Sequence, residues 1–151
     1  MALKERIANE MKAALLGGDR FVGETLRNLK AAILNEEVAT GKRDEGLADE
    51  EIEKVVAKEV KKRMESARLY RDNDRLDLAE PEEQELEILQ RYLPKQLTEE
   101  EITLIVERKA QELDVSTPAD MGRLIGAVKS ELGNAADGST IARIVKQVLG
   151  K

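Results

Sequence analysis

The stretch 51–69, "EIEKVVAKEVKKRMESARL", is typical of a long amphipathic helix. Its apolar residues recur every three or four positions, and charged residues fill most of the positions between them. This spacing follows the helical period of about 3.6 residues, which places the apolar side chains on one face. The stripe consists of Ile52, Val56, Val60, Met64 and Ala67. We therefore predict a helix that begins near Asp49 and packs this stripe against other helices.

Similar apolar stripes cover most of the remaining chain, and no segment alternates at the period of two that marks a half-buried strand. The sequence predicts an all-α protein with six or seven helices. Pro94 interrupts the helical pattern and is the best domain boundary. We expect a helical N-terminal domain over residues 1–94 and a small three-helix C-terminal bundle over residues 95–151.

Capping residues predict where several helices begin. The candidate caps are Asp19, Asp77, Thr98 and Thr117. Two of them have the spacing of a capping box, Thr98 with Glu101 and Asp77 with Glu80. The second box would place Pro81 in the first helical turn, where its missing N–H does little harm. The polar, glycine-bounded segment 40–46 is expected to be a mobile loop.

Composition excludes several kinds of chemistry. The chain of 151 residues has no cysteine and no histidine, which removes thiolate nucleophiles, disulfides and the commonest proton carrier near neutral pH. Charged residues make up 37% and aromatic residues only 2%, so the core must be aliphatic. We expect no catalytic residues, no metal and no cofactor. The first residues lack a continuous apolar run, so we expect a cytoplasmic protein with no membrane contact.

Glycine recurs where a helix is expected, in "DMGRLIGAVKSELGNAADGS" (120–139). Gly122, Gly126 and Lys129 fall on one stripe of that helix, away from its apolar face, and Gly133 is expected to end it. Each internal glycine costs about 1 kcal/mol relative to alanine. The stripe therefore serves either a close helix crossing within the bundle, which physical reasoning alone favours, or a groove for a partner such as a nucleic-acid backbone.

Positive charge is concentrated in two segments, although the whole chain carries a net charge of −6. Basic residues exceed acidic ones in 121–151 and again in 54–75. In the first segment, Arg143 and Lys146 are three residues apart and share a helix face. Such segments are either solvated helix faces or contacts for phosphate groups.

Four segments carry a specific pattern: "TLRNLKAAILNEE" (25–37), "EVKKRMESARLYRDNDRLDLAEPEEQELEILQRYLPKQLTEEE" (59–101), "DMGRLIGAV" (120–128) and "ADGSTIARIVKQVL" (136–149). They resemble the YqeY family, which is similar to the tail domain of the B subunit of aspartyl/glutamyl-tRNA amidotransferase. The resemblance covers nearly the whole chain. It departs from the family's pattern at Asn134 and Ala135, where a glycine and a basic residue are usual, and at Ile125, where methionine is frequent.

The resemblance implies weak tRNA binding by an accessory protein related to tRNA amidotransferases. The family is associated with carbon–nitrogen ligase activity that takes its nitrogen from glutamine. In the amidotransferase, however, amide hydrolysis and carboxylate activation lie outside the tail domain, so we expect no independent catalysis. The candidate tRNA-binding residues are Gly122, Gly126, Lys129, Arg143 and Lys146. With the resemblance added, the glycines are expected to open a surface either for tRNA or for the protein's own N-terminal domain. Amidotransferase subunits or another protein are further possible partners, and the alternative is a protein–protein adaptor module without RNA binding.

Overall fold

The computed structural model describes residues 2–150, and in that part of the chain it contains helices and no strands. The all-α prediction is therefore confirmed. The α-helices are α1 (Leu3–Leu16), α2 (Arg20–Ala39), α3 (Asp49–Asp72), α4 (Leu76–Gln90), α5 (Glu99–Glu112), α6 (Met121–Leu132) and α7 (Gly138–Leu149). Short 3-10 turns, Pro118–Asp120 and Gly133–Ala135, precede and follow α6. None of the described helices is both long and apolar enough to cross a membrane.

The described residues divide between Leu93 and Pro94 into two compact units. We call them the N-terminal unit, which contains α1–α4, and the C-terminal unit, which contains α5–α7. Each unit has its own aliphatic core, as the low aromatic content requires.

The core of the N-terminal unit is formed where α1 packs on α2 and α3 packs on α4. Its buried members are Ile7, Leu26, Leu29, Ile33, Leu47, Ile52, Val56, Val60, Ile88, Leu89 and Tyr92. Met64 does not belong to it, since this side chain is 53% exposed. Three successive steps of four residues turn the helix surface by about 120° between Ile52 and Met64. Met64 therefore lies off the buried face, to which the helix returns at Ala67, and only the placement of Met64 in the stripe is wrong.

The turn between α3 and α4 sets the start of α4. Asp74 has a left-handed backbone with φ of 57°, and the N–H of Arg75 donates to the carbonyl of Tyr70 at 2.8 Å. The carbonyl of Arg75 then accepts the first helical bonds, so α4 begins at Leu76. The capping box predicted at Asp77 is wrong, and Pro81 lies inside the helix rather than in its first turn.

A buried carboxylate holds the loop between α2 and α3. Glu37 is 1% exposed, and its Oε2 atom lies 2.8 Å from the Lys4 ammonium. The same oxygen accepts the backbone N–H of Leu47 at 3.1 Å. The hydrogen bond from Lys4 lowers the pKa of Glu37, against the effect of burial, and the Leu47 N–H lowers it further. The loop predicted to be mobile is thus attached to the core at Leu47 and to α1 through Lys4.

Tyr92 makes a second set of contacts with α1. Its ring is 4% exposed, and its hydroxyl donates to the carboxylate of Glu10 on α1. The guanidinium carbon of Arg6 lies 4.9 Å from the ring centroid, within the range of a cation–π contact. Burial and the hydrogen bond to Glu10 raise the pKa of Tyr92 well above its usual value. These contacts join α1 to the segment that follows α4.

The C-terminal unit begins with the predicted capping box. The Thr98 hydroxyl oxygen accepts the N–H of Glu101 at 3.2 Å, and the Glu101 carboxylate accepts the N–H of Thr98 at 3.3 Å. This prediction is confirmed, as is the Asp19 cap of α2, which accepts the N–H of Val22. The Thr117 side chain makes no such bond, and α6 proper begins only at Met121 after a 3-10 turn.

Candidate nucleic-acid interface

Helix α6 buries one face and leaves the glycine stripe on another. Leu124 and Val128 are fully buried, and they pack with residues of α5 and α7 in the core of the C-terminal unit. Gly122 and Gly126 lie one turn apart among the exposed residues of α6. The helix ends at Gly133, whose φ of 54° falls in the positive region that favours glycine, as the sequence predicted.

The two glycines do not serve a close helix crossing. A Cβ atom built on Gly122 or Gly126 would have no neighbour within 4 Å, apart from the surroundings of its own helical turn. The expected crossing within the bundle is therefore wrong. Within the C-terminal unit the stripe is an open strip of backbone, and packing in that unit does not offset its cost of about 1 kcal/mol per glycine.

Lys129 continues this stripe toward the beginning of α7. Its Cε and Nζ atoms lie 3.1 Å and 3.2 Å from the position that a Cβ atom on Gly138 would occupy. The absence of a side chain at Gly138 therefore allows the ammonium to lie beside the first residue of α7. A helix N-terminus carries partial positive charge, so the ammonium and the helix end both attract an anion there. The Asp137 carboxylate, which accepts the Ser139 hydroxyl, opposes that attraction.

The two predicted basic residues of α7 differ in their contacts. Arg143 pairs with Glu99 in the first turn of α5, and both side chains are about half exposed. Lys146 is exposed and forms no ion pair with any described residue. The structure thus places Gly122, Gly126 and Lys129 on α6, and it directs Arg143 toward α5. The five candidate residues lie in one unit, but their side chains do not converge on a single point.

Two cations of α5 are neutralised within this unit. Arg108 on α5 pairs with Glu112 at 2.8 Å and with Glu131 on α6, and Lys109 lies 3.3 Å from Glu131. The hydrogen bond from Arg108 lowers the pKa of Glu131, against its partial burial, and Lys109 lowers it further. These pairs hold α5 and α6 together, so they are unavailable to a partner without breaking internal contacts.

The sequence placed Arg63 in the basic segment 54–75 but did not predict the ion-pair cluster that it forms in the N-terminal unit. Arg63 on α3 lies 2.7 Å from Glu85 and 3.6 Å from Glu82, both on α4, and 3.5 Å from Glu59 on its own helix. One carboxylate oxygen of Glu82 is buried without a hydrogen-bond partner, and burial raises the pKa of this group. Among residues 2–150 there is no group of three acidic side chains placed to hold a metal ion. The cluster instead joins α3 to α4.

The fold is that of a two-unit helical protein with an open glycine stripe in its second unit. A family model described as Yqey-like protein matches residues 4–149, and the chain belongs to this family. The same domain forms the C-terminal tail of the amidotransferase B subunit.

One curated relative is Altered inheritance of mitochondria protein 41, mitochondrial, of Clavispora lusitaniae. It is 34% identical over 92 residues, which are 61% of this chain and 52% of that protein. The matched part therefore spans about half the length of this relative.

Proposed function

We propose that the chain is a tRNA-binding accessory protein related to tRNA-dependent amidotransferases, without catalytic activity of its own. The observation that carries the proposal is the open surface at Gly122 and Gly126, where nothing beyond the glycine's own helical turn lies within 4 Å of an added Cβ. Family membership supports the class of partner. The lack of cysteine and histidine supports the non-catalytic role, because no activated nucleophile can be assigned.

In this proposal an RNA backbone lies along the glycine stripe. Bare backbone at Gly122 and Gly126 lets the sugar–phosphate chain approach α6 closely, and Lys129 lies at the end of the stripe. Lys146 on α7 contributes an exposed positive charge. Arg143 contributes a second charge once its ion pair with Glu99 is replaced by an ion pair with a phosphate. Binding is weak because the chain as a whole is acidic, and it falls steeply with salt concentration.

The test measures tRNA affinity as a function of salt concentration. We expect Gly126→Leu to lower affinity and leave the salt slope nearly unchanged, because it blocks approach without altering charge. Lys146→Glu lowers both affinity and slope, by about 0.7–0.9 for each lost phosphate contact. Gln111→Leu on the exposed side of α5 and Lys12→Glu on α1 are matched controls for the added bulk and the changed charge. If both site variants remain helical and bind like the parent, this site is wrong.

Independent catalysis is tested with the same purified chain. We expect it neither to hydrolyse glutamine nor to transfer nitrogen to aspartyl- or glutamyl-tRNA. Glutaminase activity that a single substitution in this chain abolishes would contradict the accessory role.

The second candidate function is a protein–protein adaptor, and an apolar pair on α2 favours it. Leu34 is 45% exposed and Val38 is 57% exposed, and they lie one helical turn apart. Exposed aliphatic pairs at this spacing are what a partner helix can cover. Failure of the parent protein to retain any tRNA at low salt would favour this function over RNA binding.

A further inference from the structure

Helix α3 carries positive charge on two different faces, and α4 neutralises one of them. Arg63 approaches Glu85 at 2.7 Å, and Arg71 bonds both carboxylate oxygens of Glu83. Because these arginines are bound within the N-terminal unit, they contribute little to the charge that a partner meets. On the face of α3 that packs on α4, the positive charge available to a partner is therefore smaller than the excess of basic residues in 54–75 would indicate.

The other face of α3 keeps its charge. Lys54, Lys58 and Lys61 follow one another at steps of four and three residues, so they share an arc of about 60° on the helix surface. All three are exposed, and none forms an ion pair with another described residue. The acid within this stretch, Glu59, is turned away toward Lys62 and Arg63, at 3.5 Å from each. We call the three residues the α3 lysine row.

Farther along α3 the same face becomes mixed. Arg68 is exposed without an ion pair among the described residues, but Glu65 and Asp72 share its side of the helix. The α3 lysine row is therefore the uniformly positive part of this face.

The length of the α3 lysine row suits a phosphate backbone. At a rise of about 1.5 Å per residue, Lys54 and Lys61 are about 10 Å apart along the axis. One nucleic-acid strand presents a phosphate about every 3.4 Å along a duplex, or about three over this length. The number of ammonium groups in the α3 lysine row thus matches the number of phosphates that one strand presents over the same length.

We propose that the α3 lysine row contacts the phosphate backbone of RNA, as a second surface separate from the glycine stripe. The inference rests on the proposed function for the class of partner, and it adds a site in the N-terminal unit. Lysine is depleted at protein–protein interfaces, whose centres are apolar, which favours a nucleic acid over a protein here. No aromatic side chain occurs in the stretch 51–69 to stack on bases, so the contact is independent of base sequence.

The test compares the full-length parent with the triple variant Lys54→Gln/Lys58→Gln/Lys61→Gln. Affinities for tRNA and for single-stranded poly(U) are measured between low and moderate salt. Neutralising three phosphate contacts should reduce the salt slope by about 2–3, since each contact accounts for about 0.7–0.9. These exposed side chains form no ion pair with a described residue, although the charge of Lys54 contributes to lowering the pKa of Glu51, and circular dichroism checks the helix content.

A second triple variant, Lys12→Gln/Lys62→Gln/Lys95→Gln, is the matched control. It changes the net charge equally but spreads the change over three separate places, and Lys62 already pairs with Glu59. The slope should fall by less than about 1. Equal slopes for the two triple variants would overturn the proposal, because net charge alone would then explain the effect. Displacement of poly(U) by poly-glutamate at equal charge concentration would also overturn it, in favour of an acidic protein partner.

The two RNA probes separate this inference from the proposed function. A parent that binds poly(U) through the α3 lysine row but shows no affinity for tRNA would support the row and contradict the tRNA function. A parent that binds tRNA with a slope unaffected by the α3 triple variant would overturn the row and leave the tRNA function standing.

Discussion

Two pairs of glycines, one pair in each unit, have opposite consequences. In the N-terminal unit, a Cβ atom on Gly23 would lie 2.4 Å from Leu15 Cδ2, and one on Gly46 would lie 3.3 Å from Glu37 Oε2. In the C-terminal unit, Gly122 and Gly126 meet nothing within 4 Å. The first pair is required by packing or backbone conformation, whereas the second pair lowers helix stability without improving packing. This difference directs the search for a functional surface to α6.

The largest effect is expected at Gly46. Its φ of 76° is unfavourable for alanine by about 1–2 kcal/mol, and the added methyl would press on the buried Glu37 carboxylate. We expect Gly46→Ala to lower the free energy of unfolding by about 2 kcal/mol in urea denaturation followed by circular dichroism. Gly41→Ala is the control, since Gly41 has a φ of 72° and no neighbour within 4 Å. Equal losses would show that the Glu37 contact contributes nothing.

The Glu37 contact also predicts a pH dependence. The folded-state pKa of Glu37 is lowered, mainly by Lys4. The ionised carboxylate therefore contributes its full stabilisation above the unfolded-state pKa of about 4.3, and this stabilisation is lost as the pH falls through the lower folded-state pKa. At pH 7, Glu37→Gln should lower the free energy of unfolding by less than Gly46→Ala does and by more than Gly23→Ala does. The difference should shrink in acid unfolding below about pH 4. A difference independent of pH would show that charge is not its source.

A smaller loss is expected at Gly23. The methyl group of Gly23→Ala would displace Leu15, at a cost of about 1–3 kcal/mol that the better helix propensity of alanine reduces by about 1. We expect a net loss of about 1 kcal/mol by urea denaturation. Leu15→Ala in the same chain should remove the conflict, so a double-mutant cycle should show favourable coupling. Strict additivity would contradict the contact.

The smallest effect has the opposite sign. Gly126→Ala should stabilise the protein by about 0.5–1 kcal/mol, because the methyl enters open space on a helix. Gly122→Ala should do the same, although it lies nearer the helix end. The measurement is again urea denaturation, and a destabilised Gly126→Ala would mean that another backbone packs on the stripe. Stabilisation combined with weaker tRNA binding would mark the glycines as functional.

Local signals in the sequence were sufficient for the helices and for some of their ends. The reciprocal bonds of Thr98 and Glu101 follow from spacing alone, because both partners lie within one turn. The box at Asp77 failed because a competing turn, with Asp74 in a left-handed conformation, starts the helix at Leu76, two residues earlier than a cap at Asp77 would. Residue spacing alone does not show which of two possible helix starts the preceding turn favours.

The candidate site shows a similar limit. The sequence identified the glycine stripe and the basic residues. It did not show that Arg143 forms an ion pair with Glu99, or that no other helix of the C-terminal unit packs on the stripe. Such facts depend on contacts between residues far apart in the chain. Glu37 was detectable in part, because it lies four residues after Ile33 and so continues the buried stripe of α2. Its partner Lys4 carries no comparable signal.

The position of Tyr92 makes the two units optically distinguishable. The chain has no tryptophan, and its aromatic residues are Phe21, Tyr70 and Tyr92, all in the N-terminal unit. Tyrosine emission and near-ultraviolet circular dichroism therefore report that unit, with the buried ring of Tyr92 and its neighbours Arg6 and Glu10 as the principal source of signal. Far-ultraviolet circular dichroism reports helices of both units. An unlabelled sample thus reveals, from the separation of the two melting curves, whether the units unfold together or in succession.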